Sequence, residues 1–302
     1  MARSGTIGFI GLGVMGEPMC RNLAAKSGRK VLAHDLSDAP LQRLAASGVE
    51  TADVPAIASG AEIVFLSLPS GREVESVCRE ALLGAMGAEQ IVVDCGTSPV
   101  GLTRALAAEF ARRGVAYADA PVARTREAAE KGTLAIMVGA TPATFARIEP
   151  LLACCASDIS HCGDVGAGQM AKILNNMVLF QTVVALSEAL ALAKSAGIDG
   201  ARMFETLTTG SADSFALRNH GMKAVLPGVF PERAFSARYA LKDLSYALDL
   251  AREGGFPIPG AQTAERYLRA AIAAGDGDAY WPVISRQSGR KDATPTDPNE
   301  GG

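Results

Sequence analysis

Residues 8–16, GFIGLGVMG, set Gly11-x-Gly13-x-x-Gly16 directly after the apolar run TIGFI and at the opening of a helical stretch. Three glycines at this spacing, between a strand and a helix, constrain the fold more tightly than any other feature of the chain. Gly11 permits the tight turn, Gly13 lets backbone approach a pyrophosphate, and Gly16 lets helix pack on strand. The helix start supplies amide donors and a partial positive charge, so Leu12, Val14 and Met15 belong to the expected phosphate-binding turn. Asp35 ends the next strand, 24 residues after Gly11. A carboxylate there accepts hydrogen bonds from the ribose 2′-hydroxyl of NAD and repels the 2′-phosphate of NADP. The residues that follow are DLSDAP, with Arg43 the nearest arginine, so the expected cofactor is NAD. Loops after two further strands, LSLPSGREV (66–74) and DCGTSP (94–99), lie at the carboxyl ends where such sheets bind ligands. Leu68, Pro69 and Thr97 are the candidates there for the nicotinamide end.

The alternation continues through the first half. TIGFI (6–10), KVLAHD (30–35), EIVFLSL (62–68) and IVVDCG (91–96) read as buried parallel strands, with GVAYADAPV (114–122) and LAIMVG (134–139) as two more. Helical stretches at 15–27, 38–47, 72–81 and 99–113 separate them. Residues 1–163 are therefore expected to form an α/β, Rossmann-type, doubly wound parallel sheet. The character then changes. GQMAKILNNMVLFQTVVALSEALALAKSAG (168–197) has no proline and is apolar almost all round, which predicts a long helix buried at a domain or subunit interface. Later segments keep the helical period and offer no strand. Residues 164–288 read as an all-α domain for substrate binding and dimerisation, entered through that long connecting helix. Residues 289–302 carry polar and breaker residues and read as a flexible tail.

Composition removes several classes of function. The 302 residues suffice for two ordinary domains, and 48% hydrophobic with 20% charged residues is the balance of a folded chain. Twenty-nine basic against 32 acidic residues leave no electrostatic footprint for nucleic acid or a membrane surface. The six cysteines (20, 78, 95, 154, 155, 162) lack C-x-x-C pairing and read as the reduced thiols of a cytoplasmic protein. His161 beside Cys162 has no second cluster to complete a site, so no metal is expected. Glycines interrupt the N-terminal apolar run, which argues against a signal peptide. No apolar run approaches the roughly 20 residues that a membrane span needs.

Four motifs in order give the chain a resemblance to the β-hydroxyacid dehydrogenase family (3-hydroxyisobutyrate dehydrogenase-like). They are GFIGLGVMGEPMCRNL (8–23), DAPVARTREAAEKGTL (119–134), GDVGAGQMAKILNN (163–176) and YALKDLSYALDLA (239–251). The resemblance covers about residues 5–286 and implies a Rossmann-type domain, a long connecting helix, an all-α domain and a homodimer or homotetramer. It makes Lys172 the general acid/base and places Asn176 at the substrate. The chemistry agrees: hydride transfer from a C–OH carbon must be accompanied by movement of the hydroxyl proton, and a positioned amine can take or return it. Asn176, one turn on, can orient that amine or hold a substrate oxygen. Lys242 resembles a second lysine that reaches the cofactor, with Asp243 positioning its helix.

The substrate motif departs from the family pattern. Where Asp-x-Pro-Val-Ser-Gly-Gly is usual, this chain has Asp119-Ala120-Pro121-Val122-Ala123-Arg124-Thr125. The Pro-Val-x-Arg-Thr form is similar to that of sulfolactaldehyde reductase, which implies that the Arg124 fork grips a carboxylate or sulfonate, assisted by Thr125 and beside Ala123. The plainer reading points Arg124 to solvent or pairs it with Glu127, three residues on. In GSADSFALRNHG (210–221), Ser214, Phe215 and Asn219 are expected to face the substrate. Three readings stay open: an NAD-dependent dehydrogenase of a small anionic β-hydroxy acid, an imine reductase, and a non-catalytic dinucleotide-binding protein. An intact Lys172 favours the first.

Overall fold

Runs of apolar residues buried on both faces organise the first half. β1 (Ile7–Ile10) starts the sheet and feeds α1 (Gly16–Lys26); β2 (Val31–His34), α2 (Asp38–Ala45), β3 (Glu50–Thr51) and α3 (Val54–Gly60) follow. Next come β4 (Ile63–Leu66), α4 (Gly71–Val77), the short α5 (Leu83–Ala85), β5 (Ile91–Asp94) and α6 (Val100–Ala111). β6 (Ala116–Asp119), β7 (Val122–Ala123), α7 (Arg126–Lys131), β8 (Leu134–Gly139), α8 (Pro142–Leu152) and β9 (Ala156–Gly163) complete the alternation. The computed structural model describes residues 5–289 apart from Arg233, so the expected tail beyond Gly289 lies outside the described residues.

β1, β4 and β5 are buried at every position, which is why they lack the alternation of a half-exposed strand. The sheet order is β3-β2-β1-β4-β5-β6-β8-β7, with β9 paired to β8. β1 runs parallel to both β2 and β4, so the chain reverses its direction of travel across the sheet between them. That switch point opens a crevice at the carboxyl ends of the strands. The pairings Ile10–Leu66, Leu66–Asp94 and Asp94–Asp119 bring four strand ends level. Apolar clusters fill both faces of the sheet, one around Phe9, Met19 and Leu23, the other around Ile57, Val74 and Phe110.

The sheet is mixed, not wholly parallel. β8 pairs antiparallel with both β6 and β7. β9 has no signature in an apolar pattern because it is an edge strand, mostly exposed along ASDISHCG.

α9 (Ala167–Ser195) is the long helix, followed by α10 (Gly200–Leu207), α11 (Ala237–Gly254) and α12 (Pro259–Ala271). A π-helical segment, Leu217–Val225, lies between α10 and α11, and a 3-10 segment, Trp281–Gln287, closes the described chain. The chain divides into two compact units, residues 1–172 and 173–302. The division falls inside α9 and not ahead of it, because the first turn of α9 is hydrogen-bonded to the sheet. Among the described residues α9 has the length and composition of a membrane span, contrary to the expectation that no segment approaches one. Phe180, Val183, Leu186 and Leu190 on it belong to the core of the second unit, as expected of a core helix. Trp281 meets Phe180 edge-on, with ring centroids 4.8 Å apart.

His220 sits in this second core, its Nδ1 2.6 Å from the Tyr280 hydroxyl and its ring 5.2 Å from that of Trp281. Burial, and then the charge of Lys223, push its imidazole down from the ordinary 6.5 to about 4. The unfolded chain therefore binds this proton more tightly than the folded one. The contribution of His220 is complete above pH 6.5 and is lost as pH falls through 4. Between pH 7 and pH 4.5 the loss from this group should be on the order of 2 kcal/mol. Urea titrations at the two pH values should show that much less loss in His220→Gln. An unchanged pH dependence in the variant would contradict the burial argument.

Candidate active site

The nucleotide-binding turn is built by close backbone approach. Gly11 has φ 94°, and a Cβ added there would strike the Ser67 carbonyl; one added at Gly16 would strike the carbonyl of Gly11. At Gly13 an added Cβ would meet nothing within 4 Å, so this side of the turn has the open room a pyrophosphate requires. Asp35, just beyond β2, holds the turn: its Oδ2 accepts from the Leu12 N–H at 2.6 Å and its Oδ1 from the Ser37 N–H at 2.8 Å. Val14 is exposed and Met15 half-buried at the helix start. Arg43 forks onto Glu17, with Nε–Oε1 2.9 Å and a second bond of 2.7 Å to Oε2. Leu68 and Pro69 follow β4, where Ser70 caps α4 by accepting from the Arg72 N–H; Thr97 follows β5 next to the buried Ser98.

Two buried aspartates at neighbouring strand ends fix the start of α9. Asp119 Oδ1 accepts from the Gly166 N–H at 2.6 Å, and Oδ2 from the Gln169 N–H at 2.7 Å. This puts a carboxylate on the first turn of a helix, where the exposed amides and the helix dipole favour negative charge. Burial raises the Asp119 pKa, and the backbone N–H bonds oppose that rise. Asp94 accepts from the Gly96 N–H at 2.9 Å and from the Ser98 hydroxyl at 2.8 Å. Gln169 ties the two strand ends together, its backbone N–H on Asp119 and its side chain on the residues after β5. Its Oε1 accepts from the Ser98 N–H at 3.0 Å, and its Nε2 donates to the Gly96 carbonyl at 2.9 Å. Lys172 follows Gln169 by three residues and so leaves the helix on the same side, one turn further on.

In the second unit, Asn176 is buried and has both ends of its amide engaged. Its Nδ2 donates to Asp243 Oδ2 at 2.8 Å, and its Oδ1 accepts from Asn175 Nδ2 at 3.1 Å. Lys242 Nζ stands 3.0 Å from Asp243 Oδ1 and lies over the rings of Tyr239 and Tyr246 at 5.6 and 5.4 Å. Asn176, Asp243 and Lys242 thus form one network. Ser214 accepts from the Leu217 N–H at 3.0 Å, just ahead of the π-helical segment, and Phe215 is exposed. Asn219 bonds to the Phe215 carbonyl and to Lys223.

The substrate-motif loop is braced from several sides. β7 ends at Ala123, Arg124 turns at φ 84°, and Thr125 caps α7 by accepting from the Ala128 N–H at 3.4 Å. The Arg124 guanidinium reaches three groups other than Glu127. Nη1 donates to the Thr133 carbonyl at 2.7 Å and to Ser157 Oγ at 2.8 Å, and Nη2 to Asp158 Oδ2 at 2.7 Å. Glu127 pairs instead with Lys131 at 2.6 Å, one turn along α7.

Sequence reasoning misses Asp94, Asp119, Ser98 and Gln169 as positioning groups. A signal does exist, in aspartates that close the apolar strands IVVD and AYAD. Its meaning depends on which helix starts opposite them, which the sequence does not show.

Residues 6–163 match the family described as the NAD binding domain of 6-phosphogluconate dehydrogenase. Residues 166–281 match the one described as NAD-binding of NADP-dependent 3-hydroxyisobutyrate dehydrogenase. A 2-(hydroxymethyl)glutarate dehydrogenase from Eubacterium barkeri is 37% identical over 280 residues, 92% of each chain. A 3-hydroxyisobutyrate dehydrogenase from Pseudomonas aeruginosa is 36% identical over 253 residues, 80% of this chain and 84% of that one. The solved structure of Mycobacterium tuberculosis 3-hydroxyisobutyrate dehydrogenase with L-serine superposes with a TM-score of 0.83 at 30% identity, covering 93% of this chain and 98% of that one.

Replacing Asp119 by Asn tests the hold on α9. An amide offers one acceptor where the carboxylate offers two, so the N–H of Gly166 or of Gln169 loses its partner. Asp119→Asn should cost about 1–3 kcal/mol, read as a lower urea midpoint at unchanged slope. Wild-type stability in the variant would mean that the carboxylate does not hold the helix.

Proposed function

The chain belongs to the β-hydroxyacid dehydrogenase family, and from that premise we propose that it interconverts a small anionic 3-hydroxy acid and its aldehyde or ketone, using NAD. The observation that carries this reading is the hydrogen-bonded start of α9: Asp119 and Gln169 fix the helix one turn ahead of Lys172, on the sheet whose first turn is open for a dinucleotide. A bound nicotinamide supplies the acceptor or donor of the hydride. Lys172 takes the hydroxyl proton when the alcohol is oxidised and returns it when the carbonyl is reduced. Asn176, held by Asp243, orients the reacting oxygen.

The preference for NAD over NADP rests on Asp35. Its carboxylate is fixed by two backbone amides, Leu36 beside it is fully exposed, and Arg43 is committed to Glu17. A 2′-phosphate would meet this carboxylate, and Arg43, the nearest arginine in sequence, is already paired. The substrate's anion is assigned to the Ala123–Arg124–Thr125 loop. Because the guanidinium already serves Asp158, the loop backbone and Thr125 are the groups that receive the anion. Leu174, Val178 and Leu192, exposed along α9, support a homodimer or homotetramer.

Lys172→Ala should retain NAD binding while kcat falls by roughly 10²–10⁴, the usual contribution of a general acid/base. Lys172→Arg should not restore it, since a guanidinium does not give up its proton at working pH. Asn176→Ala should lose less, because it positions and does not transfer. Turnover of 3-hydroxyisobutyrate or 2-(hydroxymethyl)glutarate by Lys172→Ala at the wild-type rate would remove the lysine from the mechanism.

The second expectation concerns the cofactor. The ratio of kcat/KM for NAD over NADP should exceed about tenfold in the wild type and shrink in Asp35→Ser. A wild-type ratio in favour of NADP would overturn the assignment of Asp35.

A further inference from the structure

Among the described residues only Glu89 and Arg124 are non-glycine residues at positive φ. At φ 84° an arginine occupies backbone space that L side chains rarely enter, and a neighbouring structure must hold it there. The loop has no slack to avoid this. Val122 and Ala123 are paired with Ile136 and Ala135 of β8, and one residue after the turn Thr125 already caps α7. The chain must therefore swing from strand to helix within Arg124 alone.

The side chain of Arg124 supplies the hold. Its guanidinium reaches back to Thr133, just beyond the end of α7, and to Ser157 and Asp158 on β9. Ser157 Oγ, which accepts from Arg124, itself donates to Asp158 Oδ2 at 2.7 Å, so three groups close a triangle. Ser157 first, and then Arg124, keep the Asp158 carboxyl below the ordinary carboxylate range. The side chains of Arg124 and Asp158 are 36% and 60% exposed, so as an isolated ion pair they would contribute little. Their effect comes from where they act, on one strained residue. α7 is anchored separately, by Asn22 Nδ2 donating to the Ala129 carbonyl at 2.9 Å.

We propose that Asp158, with Ser157, is a positioning residue for the substrate: it holds the Arg124 guanidinium against β9 and so keeps the 122–125 loop in its left-handed turn. This rests on the reading that the loop receives the substrate's anion. Asp158 does not touch the substrate. It does the work that a glycine at position 124 would make unnecessary, since glycine takes this φ with no brace.

The test uses four full-length enzymes: wild type, Asp158→Ala, Arg124→Gly and the double variant. KM and kcat are measured with whichever of 3-hydroxyisobutyrate and 2-(hydroxymethyl)glutarate the wild type turns over better, and hydrogen exchange of amides 122–128 is followed in each. Asp158→Ala should raise KM about tenfold, ~1.4 kcal/mol, with kcat within about twofold and faster exchange in 122–128. On the Arg124→Gly background, where the turn needs no brace, adding Asp158→Ala should change KM no further. The proposal is overturned if Asp158→Ala leaves KM unchanged. It is equally overturned if KM falls, which would mean that the freed guanidinium grips the anion, or if adding Asp158→Ala to Arg124→Gly raises KM as much as it does in the wild type. Should the wild type turn over neither acid, the assigned reaction fails, and the exchange of 122–128 alone decides whether Asp158 holds the loop.

Discussion

A carboxylate on the first turn of α9 ties the helix that carries Lys172 to the sheet. Asp119 stands at the end of β6 in register with Asp94 at the end of β5, and its two oxygens accept from Gly166 and Gln169. Without that contact the helix could slide or rotate on the sheet, and Lys172 would move with it. An error of an ångström at the reacting atoms can cost a hundredfold in rate, so the acid/base role proposed for Lys172 requires a rigidly anchored helix start. A buried carboxylate is costly unless its oxygens are hydrogen-bonded, and here the helix amides meet that need. The same bonds satisfy amide donors that a helix start leaves without intrahelical partners.

The 122–125 loop, the proposed site of the substrate's anion, is organised differently. It is bounded by a short strand pairing on one side and a capped helix on the other. Arg124 lies between them in a conformation natural to glycine. A cation is well placed to be held by partners elsewhere in the chain, the Thr133 carbonyl just before β8 and the Ser157–Asp158 pair of β9. The departure of this loop from the family pattern thus changes how the turn is held before it changes what is bound.

Much of the fold is legible in the sequence because burial on both faces produces unbroken apolar runs. β1, β4 and β5 are such strands, and the glycine turn after β1 is fixed by contacts within its own neighbourhood. β9 escapes because an exposed edge strand such as ASDISHCG needs no apolar pattern, and β3 and β7, at two residues each, are too short for any period. The site divides in the same way. Lys172 and Asn176 stand out as polar residues within an apolar helix. Arg124 stands out too, but its partner lies 34 residues away on β9, and proximity in sequence points wrongly to Glu127. Asp119 and Gln169, 50 residues apart, are joined only by the order of the strands.

The central claim is that an amine at position 172 carries the proton that accompanies hydride transfer. Chemical rescue tests it most directly. Lys172→Ala, shown to bind NAD and the hydroxy acid as the wild type does, is assayed with increasing concentrations of small primary amines. If the lysine is the acid/base, kcat should rise with amine concentration and depend on amine basicity, while the wild-type rate stays flat. If no amine of any size raises kcat in a variant that binds both ligands normally, proton transfer does not run through this position.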